Sequence, residues 1–296
     1  MDGIINVYKQ KGMSSHDVVN KIRRIFNTKQ VGHTGTLDPN AEGVLVICLN
    51  SATKLVQFLE ADTKKYRAEL IIGMATDTYD ITGKVINKVV NPDISYEKVK
   101  EVIKSFLGAQ KQKPPLYSAI KVNGKKLYDY ALKNQTVEVA PRDIFIYDIE
   151  VIDDTLIKKE DYYSVSFEVT VSKGTYIRSL CYDIGEKLNI PCTMGDLLRV
   201  RSGAFELKDA KTLEQIEQGD FQLKNLVDSL AEMDQIDVLG NTELEYKISN
   251  GMKLSLKTFD KKYNRIAFIN QNQLLAVYEY HEEENYKYYK AVRVWK

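Results

Sequence analysis

The residues best placed to do chemistry lie in one short stretch, Val31-Gly32-His33-Thr34-Gly35-Thr36-Leu37-Asp38-Pro39, followed by Ala41-Glu42-Gly43. Two glycines bracket His33 and Thr34, which suits a loop that turns tightly or lies close to a ligand. The loop delivers a single carboxylate, Asp38. Pro39 biases Asp38 toward extended backbone, so that carboxylate has a defined direction. A positioned carboxylate serves as nucleophile or base. Taken alone, the same cluster also describes a surface turn capped by Asp-Pro. The Gly-Lys-Ser/Thr ending of a P-loop is missing.

The elements around the loop follow from periodicity. Residues 3–8 are β-prone, and Ser14-Ser15 ends a loop and caps a helix with Val18, Val19, Ile22, Ile25 and Phe26 on one face and Lys21, Arg23 and Arg24 on the other. Residues 44–49 form a continuous apolar run suited to a buried strand, and residues 65–72 a further strand. Residues 163–171 alternate strictly between apolar and polar, as a strand with one covered face does. Ser172-Lys173-Gly174-Thr175 then opens a helix with Arg178 near its start. Residues 197–201 are expected in a loop, residues from Asp209 onward in acidic helices, and 127–133 in a short helix after an Asn123-Gly124 turn. Beyond a boundary at 234–241, short β-prone runs at 265–269, 274–280 and 288–294 indicate a small β-rich unit.

Composition sets limits on the function. The 296 residues, 44% hydrophobic and 28% charged, suit a globular chain of one large domain, or a large one plus a small one. No apolar run approaches a membrane span and the first ten residues lack a signal-peptide pattern, so a cytoplasmic location is the expectation. Three cysteines without Cys-x-x-Cys spacing read as buried thiols, and three scattered histidines make a metal site improbable. Net charge is only +1, yet residues 104–143 hold eight basic against three acidic residues and 247–265 six against one. Segregation of this kind can give a basic face to a neutral protein, and a phosphate backbone needs such a face.

Several motifs occur together and in order: Gly32-His33-Thr34-Gly35-Thr36-Leu37-Asp38-Pro39, Lys65-Tyr66-Arg67, Thr76-Asp77-Thr78-Tyr79-Asp80, Pro114-Pro115-Leu116-Tyr117-Ser118-Ala119-Ile120-Lys121-Val122-Asn123-Gly124 and Ser172-Lys173-Gly174-Thr175-Tyr176-Ile177-Arg178. In this the chain resembles the bacterial tRNA pseudouridine(55) synthases of the TruB family over nearly all of its length up to Phe205. The tail is similar, more distantly, to the PUA-type RNA-binding domain such enzymes carry. The resemblance implies an α+β fold: a catalytic domain on a mixed, largely antiparallel sheet at 1–235 and a small β-rich PUA-like domain at 236–296. It implies isomerisation of uridine 55 in the T arm of tRNA, without cofactor or metal, by a monomer.

By the same resemblance Asp38 is the catalytic group, Arg178 orients and ionises it, and Tyr66, Tyr176 and Leu197 form the base pocket. His33, Lys9, Lys121 and Arg199 are implied as RNA-binding. The chemistry agrees with these types. The N1–C1′ bond must break, the base turn, C5 join C1′ and the C5 proton leave, with no electrons or groups supplied from outside. Asp38 can begin this by attack at C1′, by attack at C6 or by taking a sugar proton. Two rivals stand beside this reading: an RNA binder that does not need catalysis, and a glycoside hydrolase, which would require a paired acid, with Asp77 and Asp80 the nearby candidates. The chain departs from the family pattern at Gln10, where proline is common, and at Leu132 and Asn134, where Arg and Gly are usual.

Overall fold

The computed structural model describes residues 1–59, 63–118, 120–133, 135, 137–231, 233–283 and 286–295. Ala119 of the fourth motif and the departure at Asn134 lie outside them. Among the described residues the architecture is α+β. A large sheet runs Gly3–Lys9, Glu42–Leu49, Cys192–Ser202, Lys64–Ile72, Tyr163–Val171, Arg142–Val151, Gly108–Gln112, with short strands added at its margins. Along this path the pairings are antiparallel except that of Cys192–Ser202 with Glu42–Leu49. The expected mixed, largely antiparallel sheet is therefore present.

Burial explains the apolar run at 44–49. Val44, Val46 and Cys48 face a core shared with Ala52, Leu55 and Phe58, while Leu45, Ile47 and Leu49 face a second core containing Val18, Val19 and Ile22 of the helix Ser15–Ile25. A strand covered on both faces has no polar alternation to show. The Ser15–Ile25 helix begins where expected, because Ser14 and Asp17 form a reciprocal capping box. The strand Tyr163–Val171 contributes Val165, Phe167, Val169 and Val171 to a core that also holds Ile177, Leu180 and Ile184 of the helix Ile177–Leu188.

Two local expectations are corrected. Residues 197–201 are not a loop: they belong to Cys192–Ser202, a central strand of the sheet, whose register shifts between Met194 and Leu197 and again between Arg199 and Arg201. Such bulges break the two-residue alternation by which a strand is recognised. The described residues of 209–234 are mostly irregular, with one α-helical stretch at Leu213–Glu217. Their backbone is committed elsewhere: Lys211 and Lys224 bond the outer edge of Gly3–Lys9 through Tyr8, Asn6 and Ile4. These two residues cover an otherwise open strand edge, with the Leu213–Glu217 helix between them.

The tail forms a separate five-stranded sheet, Gln235–Asp237, Arg265–Asn270, Gln273–Glu283, Tyr286–Val294 and Leu254–Ser255 in spatial order, with an unanticipated helix at Thr242–Ser249. One face packs on its own aromatic core around Phe268, Tyr278 and Tyr289. The other face places Ala267, Leu274 and Val277 in the core that holds Val44, Val46 and Phe58. The two sheets thus share apolar packing.

Candidate active site

The Asp38 loop connects the short strand Val31–His33 to Glu42–Leu49 and is held from beneath. Ser15 Oγ accepts from the Leu37 N–H at 2.9 Å and donates to the Leu37 carbonyl at 3.1 Å. Lys9, fully buried, donates to the carbonyls of Ala41 at 2.6 Å and of Pro39 and Gln10 at 3.1 Å. Arg199, 1% exposed, donates from Nε to the Val44 carbonyl at 2.6 Å and from Nη2 to the Gly35 carbonyl at 3.1 Å. Buried carbonyls need such donors. Burial pushes the Lys9 ammonium down to about 8, against the opposing pull of Asp38. Gly43 permits this packing. Its φ is +105°, and a Cβ there would stand 2.3 Å from the Arg199 carbonyl oxygen.

Asp38 points at Arg178. Nε of Arg178 lies 2.9 Å from one carboxylate oxygen, and Nη2 donates to the other at 3.2 Å, a two-point fork. The same guanidinium donates to the carbonyls of Tyr117 at 3.0 Å and Thr78 at 3.3 Å, and its Nη1 is 3.9 Å from Asp80. Arg178 lies near the N-terminus of the Ile177–Leu188 helix, whose first turn holds no acidic residue. The positive end of the dipole disfavours a cation there, so Asp38 and Asp80 supply the compensating charge. Asp80 is fixed by the Thr82 N–H at 2.9 Å and the Thr78 hydroxyl at 2.9 Å.

The Asp38 side chain is 38% exposed, against 7% for Arg178, and its exposed part faces a cleft whose walls limit hydration. Desolvation raises its pKa above the usual carboxylate value. Arg178 and Lys9 pull the other way, Asp80 adds to the rise, and burial prevails. The sequence-based expectation that Arg178 favours the ionised acid holds for that one interaction, not for the net direction.

The cleft measures about 690 Å³. Asp38, Tyr66, Arg178, Tyr176, Leu197 and Arg199, all singled out in the sequence, line it together. Tyr66 is 8% and Leu197 7% exposed, each on a central strand. Tyr176 precedes the helix, and burial raises its phenol pKa.

The cations singled out in the sequence divide by burial. Lys9 and Arg199, implied as RNA-binding, are buried and bonded to backbone carbonyls, so their cationic groups support the loop from inside; the sequence shows a lysine and an arginine but not which way they face. His33 ends the Val31–His33 strand, and its Nδ1 accepts from the Gly35 N–H at 3.3 Å. Lys121 is exposed on the hairpin made by Lys121–Val122 and Lys125–Lys126, whose turn residues Asn123 and Gly124 have φ of +50° and +79°. Lys126, part of the basic segment expected to meet a phosphate backbone, also lines the cleft, as do Lys64 and Tyr128, to which no role was assigned from sequence. Their types are too common for spacing to mark them.

A carboxylate fixed by a guanidinium, a flat aromatic wall and cations at the rim suit a planar ring attached to an anionic chain. Comparison with known proteins points the same way. The TruB family pseudouridylate synthase N-terminal domain model matches residues 23–177, and the tRNA pseudouridylate synthase B C-terminal domain model matches 178–236. The tRNA pseudouridine synthase B of Ligilactobacillus salivarius is 41% identical over 292 residues, covering 96% of each chain. That of Oceanobacillus iheyensis is 42% identical over 303 residues, covering 100% of this chain and 98% of its own. Among solved structures, a chain of a Cbf5-Nop10-Gar1 complex superposes with a TM-score of 0.71 at 25% identity, covering 99% of this chain and 84% of its own.

Proposed function

Because the chain belongs to the TruB family of pseudouridylate synthases, we propose that it isomerises uridine 55 in the T arm of tRNA, with Asp38 as the essential group. It is an RNA-modifying isomerase acting on tRNA uridine. The observation that carries the finer reading is the Asp38–Arg178 fork at the wall of a cleft that also holds Tyr66. An RNA binder without chemistry has no use for a desolvated carboxylate.

A uridine stacked in a folded loop must be flipped out to reach Asp38, at a cost of a few kcal/mol. Stacking on Tyr66 offsets part of this, with Tyr176 and Leu197 enclosing the detached base while it turns. Arg178 aims the carboxylate at the nucleotide through two donors, leaving little rotational freedom. The reaction redistributes bonds within one nucleotide, so the protein needs only to position, enclose and move a proton. His33 lies beside the flipped nucleotide, and Lys121 with its hairpin neighbours meets phosphates. Lys9 and Arg199 serve RNA binding through the loop they support. Residues 1–235 form the catalytic domain and 236–296 a PUA-like RNA-binding domain, in a cytoplasmic monomer. No helix among the described residues is long and apolar enough to cross a membrane.

The test is incubation with an unmodified tRNA transcript in the absence of added metal or cofactor, followed by mapping of pseudouridine. Modification at position 55, lost in Asp38→Asn while tRNA binding persists, supports the proposal. Modification at another position overturns the T-arm assignment, and an active Asp38→Asn overturns the role of Asp38.

A further inference from the structure

We infer that Gln112, a residue outside the cleft lining, is a positioning residue for the reaction: its side-chain amide fixes the backbone from which Tyr176 and Arg178 reach the cleft. This rests on the functional reading given above. Gln112 ends the edge strand Gly108–Gln112, paired there with Arg142, and is 3% exposed. Its Oε1 accepts from the Tyr176 N–H at 2.8 Å and its Nε2 donates to the Tyr176 carbonyl at 3.1 Å. Both polar groups of one residue are thus held by one side chain, in the manner of a strand pairing. Tyr176 is the N-cap of the Ile177–Leu188 helix and makes no side-chain cap bond, so Gln112 satisfies the N-cap N–H from across the fold, the bond that the third helical residue makes in a capping box.

The arrangement has one sense only. Rotating the amide by half a turn sets its NH₂ against the Tyr176 N–H and its oxygen against the Tyr176 carbonyl, two repulsions in place of two bonds. Two further contacts tie the segment after Gln112 to the same helix start. Ser179 Oγ donates to the Lys113 carbonyl at 2.8 Å, and Arg178 Nη2 donates to the Tyr117 carbonyl at 3.0 Å. Nη2, one of the two nitrogens that contact Asp38, is therefore also a strut of this clamp. If the helix start shifts, the Tyr176 ring and the Arg178 fork shift with it.

A carboxyl in place of the amide provides a readout that plain structural damage would not move. Ionised, Gln112→Glu accepts from the Tyr176 N–H but faces the Tyr176 carbonyl with a second lone pair; protonated, it donates there and restores both bonds. Gln112→Met loses both bonds at every pH. Single-turnover rates with saturating tRNA transcript should fall on the order of tenfold to a hundredfold in both variants at neutral pH, with tRNA affinity unchanged. As the pH is lowered, the Gln112→Glu rate relative to wild type should recover, and the Gln112→Met rate should not. Wild-type rates in both variants, or equal losses in both with no recovery in Gln112→Glu, would overturn this inference while leaving the functional reading intact. An inactive wild type would overturn both.

Discussion

Beneath the Asp38 loop, Lys9 and Arg199 are 0% and 1% exposed and donate to backbone carbonyls. On the hairpin at 121–126, Lys121, Lys125 and Lys126 stand exposed on a two-residue turn. The two regions use the same side-chain charge, and burial separates their roles. A buried cation acts as a many-fingered donor that fixes backbone, and its loss leaves carbonyls unpartnered. An exposed one acts through its field, and its loss is felt by a polyanion and depends on salt. Changes under the loop should therefore alter chemistry or stability, and changes on the hairpin the salt dependence of binding.

The largest expected effect is at Asp38 itself. Asp38→Asn should lower the single-turnover rate by at least about 10³-fold with tRNA affinity retained. A rate near wild type would place the chemistry elsewhere. Next, Arg178→Lys keeps the charge but loses the planar fork and a strut to Tyr117, and should cost about 10²-fold in the same assay; a normal rate would reduce Arg178 to a generic positive charge.

The pH profile of the wild-type single-turnover rate should come third. On the proposal that Asp38 acts ionised, its raised pKa should make the rate fall about tenfold per pH unit on an acid limb lying above the ordinary carboxylate value of about 3.9. An alkaline limb at about 8 should report Lys9 losing the proton with which it holds three carbonyls. The sign for stability is opposite. The unfolded chain keeps the Lys9 proton up to the ordinary 10.5, so above about 8 it binds more protons than the folded one, and this group's contribution to folding rises with pH. A profile without the alkaline limb in Lys9→Met would support that assignment, and an unchanged limb would refute it.

Smaller effects divide the two regions most sharply. Arg199→Met leaves the Val44 and Gly35 carbonyls without their donor and should cost about 2 kcal/mol of stability in denaturant unfolding, with no change in the salt slope of tRNA binding. Lys121→Ala combined with Lys125→Ala should do the reverse: unchanged stability, an unchanged rate at saturating tRNA, and a slope of log affinity against log salt shallower by roughly 1.5. If the slopes move the other way round, burial does not govern the roles of these cations.

Much of the large sheet was legible in the sequence because its strands carry a period or an unbroken apolar run. The strand at 163–171 alternates, that at 42–49 is buried on both faces, and Ser14 with Asp17 marks a helix start by local bonding alone. The strand Cys192–Ser202 was not legible, since two register shifts and two arginines hide its alternation. Residues 209–234 misled by composition. Acidic residues suit helix surfaces, but Lys211 and Lys224 tie this segment to a sheet edge on either side of the short helix Leu213–Glu217. The site divides in the same way. Asp38, Tyr66, Tyr176 and Arg178 were marked by motifs, Leu197 by the resemblance and Lys126 by its basic segment, and they meet in one cleft, whereas Lys64, Tyr128 and, outside the lining, Gln112 carried no signal of their own.

What the sequence by itself determined are the local matters: the helix cap at Ser14, the helix behind Lys173-Gly174-Thr175, the turn at Asn123-Gly124 and the motif order that marks the family. These depend on dihedral preference, capping and spacing, which neighbouring residues settle among themselves. The tertiary structure alone decided which cations are buried, that burial outweighs Arg178 at Asp38, and that an amide sixty-four residues away holds the backbone of Tyr176, where the helix of Arg178 starts. Each of these depends on how much water a group keeps and which distant polar atom replaces it, and that is set only when strands far apart in the chain come together.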